Sequence, residues 1–322
     1  MNDLIPSFEF HAVFIEPWTS GFSTTLWIVL MGFFVAAACG LVGNFLLLRR
    51  MALIGDAISH SILPGLVLAF VIFKSLSIWV AMAGALAAGI ATVAVIEFIH
   101  QRSRVKPDAA ICIAFTTFFA LGVAMMSLLE ARGGIHLDAE CVLYGEVSFV
   151  GMAPTFEWLG MDWGPLPVVR MGTMLLVVVA LIAVFYKELM ITSFDPGLAD
   201  SLGIRTQVWH YGMMGMLALV IVCAFEAVGA ILAVAMLIVP PMFAAQLSDR
   251  LSIRLLLTVG HAAVSALAGL HLSMWLNCTA AGAMVVAGAG MFAVVWAGSL
   301  VLARWRVAGA FMEEPGTDPA NA

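Results

Sequence analysis

The chain has 322 residues, of which 63% are hydrophobic and only 11% charged, with a formal net charge of −6. Mean hydropathy is +1.08, whereas an ordinary soluble domain carries about 25% charged residues. This is the composition of a polytopic membrane protein, so the net charge says little about partners; a lipid membrane is expected as its surroundings and no nucleic-acid partner is expected. The pattern predicts an all-α, polytopic membrane helical bundle. The first stretch, residues 1–21, contains Asp3, Glu9 and Glu16 but no Lys or Arg. Without the basic start of a cleavable signal, the first apolar segment is expected to stay as a helix, with 1–21 as an extracytoplasmic segment.

A membrane span needs about 20 apolar residues. Candidates are roughly 22–48, 51–73, 76–99, 109–129, 171–186, 208–226, 228–247, 255–275 and 279–303. The pair 208–226 and 228–247 reads either as one long broken helix or as two short ones, so eight or nine transmembrane helices are expected. Basic residues favour the cytoplasmic side. Nine spans with the N-terminus outside put Arg49, Arg50, Arg102, Arg104, Lys106, Lys187, Arg205, Arg250, Arg254, Arg304 and Arg306 inside, and only Lys74, Arg132 and Arg170 outside. The outer loop at about 130–170 is then acidic, with Glu130, Asp138, Glu140, Glu146, Glu157 and Asp162. The membrane domain is read as 22–306 and the remainder, 307–322, as a disordered cytoplasmic tail.

Of the inner segments, Gln101–Asp108 is a plain basic connector. Phe194–Ile204 is different. Asp195 can cap a helix whose first position is Pro196, Leu198, Leu202 and Ile204 give it an apolar stripe, and Gly203 can end it. A short amphipathic cytoplasmic helix is predicted at about 195–204, able to rest on the membrane surface or dock into a partner's groove. The five cysteines are scattered, show no CxxC spacing, and read as small buried hydrophobes. No GxxxxGK[ST] loop is present, so ATP hydrolysis, if it drives this protein, belongs to another polypeptide.

The most informative run is Arg49-Arg50-Met51-Ala52-Leu53-Ile54-Gly55-Asp56-Ala57-Ile58-Ser59-His60-Ser61-Ile62-Leu63-Pro64-Gly65. It puts Asp56 and His60 one turn apart on one helix face. Ionisable groups in hydrocarbon are costly and mark a pathway, a partner or an ion. Pro64 clashes with the His60 carbonyl and offers it no N–H, so carboxylate, imidazole and a freed carbonyl share one turn. That donor set suits a divalent transition metal such as Mn2+, Fe2+ or Zn2+. A structural ion pair is the plainer alternative. Glu226, in an apolar run before a predicted helix break, is a further candidate ligand or gate. His261 and His271 lie in one span but are turned roughly 80° apart, and each reads as a packing residue.

This run resembles the GDAxSHxxLPG segment of the membrane subunit of zinc/manganese/iron ATP-binding-cassette importers. Three more segments follow in the same order. Leu137–Glu146 resembles that family's LDxxCVLFG segment, Phe194–Ile204 its FDPxxAxxLGI segment, and Ala227–Pro241 its VGxxLxxAxLIxP helix. Pro240-Pro241 departs from the family's usual Pro-Ala, which implies a more kinked helix there. The resemblance implies a permease subunit in the bacterial cytoplasmic (inner) membrane that holds no permanent cofactor. It transports a divalent metal, Mn2+ above Zn2+ or Fe2+, and is not itself an enzyme. It implies as partners a cytoplasmic ATPase, an extracytoplasmic metal-binding protein and a second permease subunit. Asp195, Pro196, Leu198, Leu202 and Gly203 are then the ATPase-coupling residues, and Asp56 and His60 the metal contacts. The alternatives are an ion-coupled secondary transporter, which also places Asp and His within spans, and an intramembrane metalloenzyme, for which an HExxH ligand set is missing.

Overall fold

The computed structural model describes residues 6–75, 77–131, 147–158 and 160–312. In lipid every backbone N–H and C=O must be satisfied within the protein, and long apolar segments do so as helices. The chain runs α1 (Phe22–Leu48), α2 (Leu53–Phe73), α3 (Ile78–Arg102), α4 (Pro107–Ala131), β1 (Thr155–Trp158), β2 (Met161–Pro165) and α5 (Leu166–Val184). It continues through α6 (Tyr186–Phe194), α7 (Pro196–Ser201), α8 (Thr206–Leu247), α9 (Leu251–Leu276) and α10 (Ala280–Met312). Among the described residues eight helices are long and apolar enough to cross a membrane, and Ala233–Leu247 is a shorter apolar helix. The fold is the expected helical bundle, with one addition: β1 and β2 form a small antiparallel hairpin. The expected Leu137–Glu146 segment lies outside the described residues. α10 continues past Arg306 to Met312.

The uncertain pair at 208–247 resolves into a hairpin. Within α8 only Gly229 leaves helical dihedrals, at φ 74° and ψ 170°, a region open essentially to glycine. Thr206, at the start of α8, lines a cavity with Arg49 from the end of α1. The far end of α8 returns to the same side, because α9, which follows it, runs antiparallel to α1. Asn44 bonds to Thr258, and Ala266 packs near Gly32. Ile221 and Leu237, eight residues either side of Gly229, both approach Gly55. The two arms therefore lie side by side. The second arm, 15 residues or about 22 Å long, is shorter than the roughly 30 Å hydrocarbon core. The break falls at Gly229, and Pro240 and Pro241 stay inside the helical second arm.

Two packings set the position of α2. Gly65 and Gly84 bring α2 and α3 so close that each occupies the space a side chain on the other would need, the use small residues have between membrane helices. Ile58 packs beside Gly89 of α3, near Ala218 of α8. The core is centred on α1 and α8, with Phe45, Met31, Leu46, Leu217, Ile221 and Leu237 among its fully buried side chains. At the other end of the bundle, the N-terminal segment packs on the end of α9. His271 Nδ1 lies 2.9 Å from the Val13 carbonyl, and the Trp275 indole N–H donates to the Pro6 carbonyl.

Candidate functional site

Asp56 and His60 project from the first two turns of α2. Ile58 faces the bundle, so residues two either side of it, rotated by about 200°, face the opposite way. The serines between and after them do not compete for a ligand. The Ser59 hydroxyl donates to the Gly55 carbonyl at 2.8 Å and that of Ser61 to the Ala57 carbonyl at 2.6 Å. Asp56 also sits where the helix N-terminus favours a negative charge.

His60 Nε2 stands 3.4 Å from Asp56 Oδ1, and the two side chains remain 20% and 47% exposed. The separation is long for a hydrogen bond. His60 Nδ1 is buried and has no hydrogen-bond partner among the described residues. The imidazole is held by α4 instead, against Phe115 (ring centroids 5.3 Å) and Phe119 (5.7 Å). Phe115 and Phe119 are one turn apart on one face of α4 and form an apolar wall on one side of the imidazole. The aromatic spacing was available in the sequence as an i,i+4 pair, but nothing there said which helix it would meet. Pro64 remains within α2, its ring against Gly122 of α4.

No group of three or more His, Cys, Asp or Glu gathers around a common point among the described residues. An ion held by the pair alone would have two protein donors here and would take its other ligands from water, backbone oxygen or a second copy. The side chain of Glu226 lies outside the described residues. His261 and His271 are not brought to the pair. His261 Nε2 is 3.1 Å from the Gly288 carbonyl, and His271 stacks on Phe14.

The second candidate, α7, forms as its sequence dictates. Asp195 Oδ1 accepts from the Leu198 N–H at 3.0 Å, with Pro196 at the first helical position. At the other end Gly203 N–H donates to the Asp200 carbonyl and Ile204 N–H to the Ala199 carbonyl. Gly203 takes φ 80°, completing a Schellman closure. Ala199 is buried against the bundle, while Leu198 and Leu202 are 50% and 60% exposed on the outer side. The Thr206 hydroxyl donates to Asp200 Oδ1 at 2.8 Å and ties α7 to α8.

Next to α7 lies a polar cavity of about 440 Å3, lined among others by Arg49, Arg50, Glu97, Gln101, Thr192 and His210. Arg49 donates from Nε to the Ser193 hydroxyl at 3.2 Å and from Nη2 to the Thr192 hydroxyl at 3.0 Å. Burial lowers its pKa to about 10. His210 Nε2 lies 3.6 Å from Glu97 Oε2. These contacts join α1 to α6 and α3 to α8, and nothing in the local sequence signals them.

An eight-span helical bundle with a carboxylate and an imidazole exposed on one face of a span, and a capped amphipathic helix between two others, defines a polytopic transport-type membrane protein. Residues 21–299 match the model of the ABC 3 transport family, and the chain belongs to that family, a multi-pass protein of the bacterial inner membrane. It is 43% identical over 256 residues to the manganese transport system membrane protein MntD of Bacillus subtilis (strain 168), covering 80% of this chain and 85% of that protein. It is 42% identical over 217 residues to the zinc transport system membrane protein TroD of Treponema pallidum, covering 67% and 58% respectively. Among solved structures it resembles PsaBC from Streptococcus pneumoniae in complex with Fab, with a TM-score of 0.71 and 30% identity over 88% of this chain and 95% of that one.

Proposed function

We propose that this chain is the membrane-spanning permease subunit of an ATP-driven importer of divalent transition metal ions, Mn2+ first and Zn2+ or Fe2+ next. The observation that carries the reading is the Asp56–His60 pair, held at 3.4 Å and left partly open on a membrane helix. One carboxylate and one imidazole accept any of these ions, and affinity order does not select among them. The preference for Mn2+ draws on the manganese systems named among its relatives.

The open face of the pair calls for cover, which a second permease subunit packed about an axis provides, placing two such pairs beside a central path. Metal arrives from an extracytoplasmic binding protein. The energy comes from a cytoplasmic ATPase, which docks on α7 through Leu198 and Leu202, with Asp195, Pro196 and Gly203 shaping the helix. Uptake of radioactive Mn2+ by cells, or by proteoliposomes holding the assembled complex, tests the reading. Asp56→Ala and His60→Ala are expected to abolish uptake while the complex still assembles. Wild-type uptake by both variants would place the metal path elsewhere.

A further inference from the structure

Four residues, 49–52, join α1 to α2, and this joint has little slack. Arg50 N–H donates to the Leu47 carbonyl and Met51 N–H to that of Leu46; then Ile54 N–H donates to Met51 and Gly55 N–H to Ala52. Arg50 takes the left-handed conformation, φ 57°, that such a helix closure requires at this position. A displacement of Arg49 is therefore passed to the first turn of α2, which carries Asp56.

From this joint the Arg49 guanidinium reaches sideways to Thr192 and Ser193, both buried in the last turn of α6. Thr192 is fixed in turn, its hydroxyl donating to the Glu188 carbonyl at 2.8 Å. α6 ends at Phe194, and a single residue, Asp195, separates it from α7. With its pKa near 10, Arg49 is a cation at neutral pH. A half-buried cation still loses part of its hydration and is held more firmly where it is hydrogen-bonded. Here a planar fork donates two directed, charge-assisted bonds, which hold orientation as the single ammonium of a lysine does not. The bridge spans sequence separations of 144 and 143 residues. It links α6, the helix one residue before α7, to the end of α1, four residues before α2.

We infer that Arg49 is a positioning residue through which movement of α7 shifts the first turn of α2, and with it Asp56 and His60. The inference rests on the reading of α7 as the ATPase-docking helix. It gives that docking a route to the metal through α6, Thr192 and Ser193, Arg49 and the 49–52 joint.

The test uses the assembled complex in proteoliposomes and reads Mn2+ imported per ATP hydrolysed. Two variants are compared with wild type: Thr192→Val combined with Ser193→Ala, which removes both acceptors, and Arg49→Lys, which keeps the charge but not the fork. Co-purification of the ATPase and Mn2+ retention by the purified complex are measured alongside. The expected result is a tenfold or greater fall in Mn2+ per ATP in the double variant and a smaller fall in Arg49→Lys. ATPase association and Mn2+ retention are expected to stay within twofold of wild type. Wild-type coupling in both variants would overturn the link. So would a loss of coupling only in step with lost Mn2+ retention or lost ATPase, because that is the behaviour of a purely structural contact. If the wild-type chain itself binds no ATPase, the docking reading fails and the link fails with it.

Discussion

Replacing Leu198 and Leu202 with Asp is the most direct challenge to the assignment of α7. Both side chains lie on its outer face, 50% and 60% exposed, while Ala199 anchors the inner face. Fully burying a leucine side chain contributes about 1.5–3 kcal/mol. With half or more of each still exposed, a partner's groove can gain roughly 0.8–1.8 kcal/mol per residue, or about 2–3 kcal/mol for the two. At about 1.4 kcal/mol per factor of ten, losing both weakens ATPase binding by about 30- to 140-fold. This is a lower bound, because a carboxylate carried into an apolar groove adds its own desolvation cost. The bundle should be untouched, since neither leucine belongs to its buried core. The assay is co-purification of the ATPase with tagged permease, followed by titration of purified ATPase onto permease in nanodiscs. The thermal midpoint of the permease serves as the folding control. An ATPase affinity within threefold of wild type, with the variant folded, would refute the docking role and leave α7 as a membrane-surface helix.

The remaining predictions concern the ion site and the bundle. Asp56→Ala and His60→Ala should each lower Mn2+ retention by the purified complex by tenfold or more, as expected for the loss of one of few ligands; equilibrium dialysis checks this, and unchanged retention would count against the pair. Gly229→Ala forces a side chain into a glycine-only backbone region at the hairpin tip, at a cost of about 1–3 kcal/mol, so the thermal midpoint in detergent should fall; an unchanged midpoint would mean that the tip adopts another conformation. Gly84→Val drives a side chain into the backbone of Gly65, at an overpacking cost of about 1–3 kcal/mol. It should displace α2 and depress uptake with the ion ligands intact, and wild-type uptake would show that the α2–α3 approach is looser than described.

The amino-acid sequence by itself determined whatever depends on near neighbours along the chain. Hydrocarbon-length apolar runs become helices because lipid offers the backbone no other partner. Asp56 and His60 share a face because one helical turn is about four residues. α7 starts and stops where Asp195, Pro196 and Gly203 say, since caps and left-handed turns are local chemistry. Tertiary structure decided what depends on contacts between distant segments. Whether 208–247 was one broken helix or two turned on Gly229 and on both arms finding Gly55. Which helix covers His60 was decided by α4 bringing Phe115 and Phe119 beside it. The bonds from Arg49 to Thr192 and Ser193 had no trace in either segment, because an arginine after a span reads as an ordinary positive-inside residue until packing brings the end of α6 beside it. Periodicity and capping act over a few residues and can be read directly, whereas the pairing of helices across more than a hundred residues is set by the packing of the whole bundle.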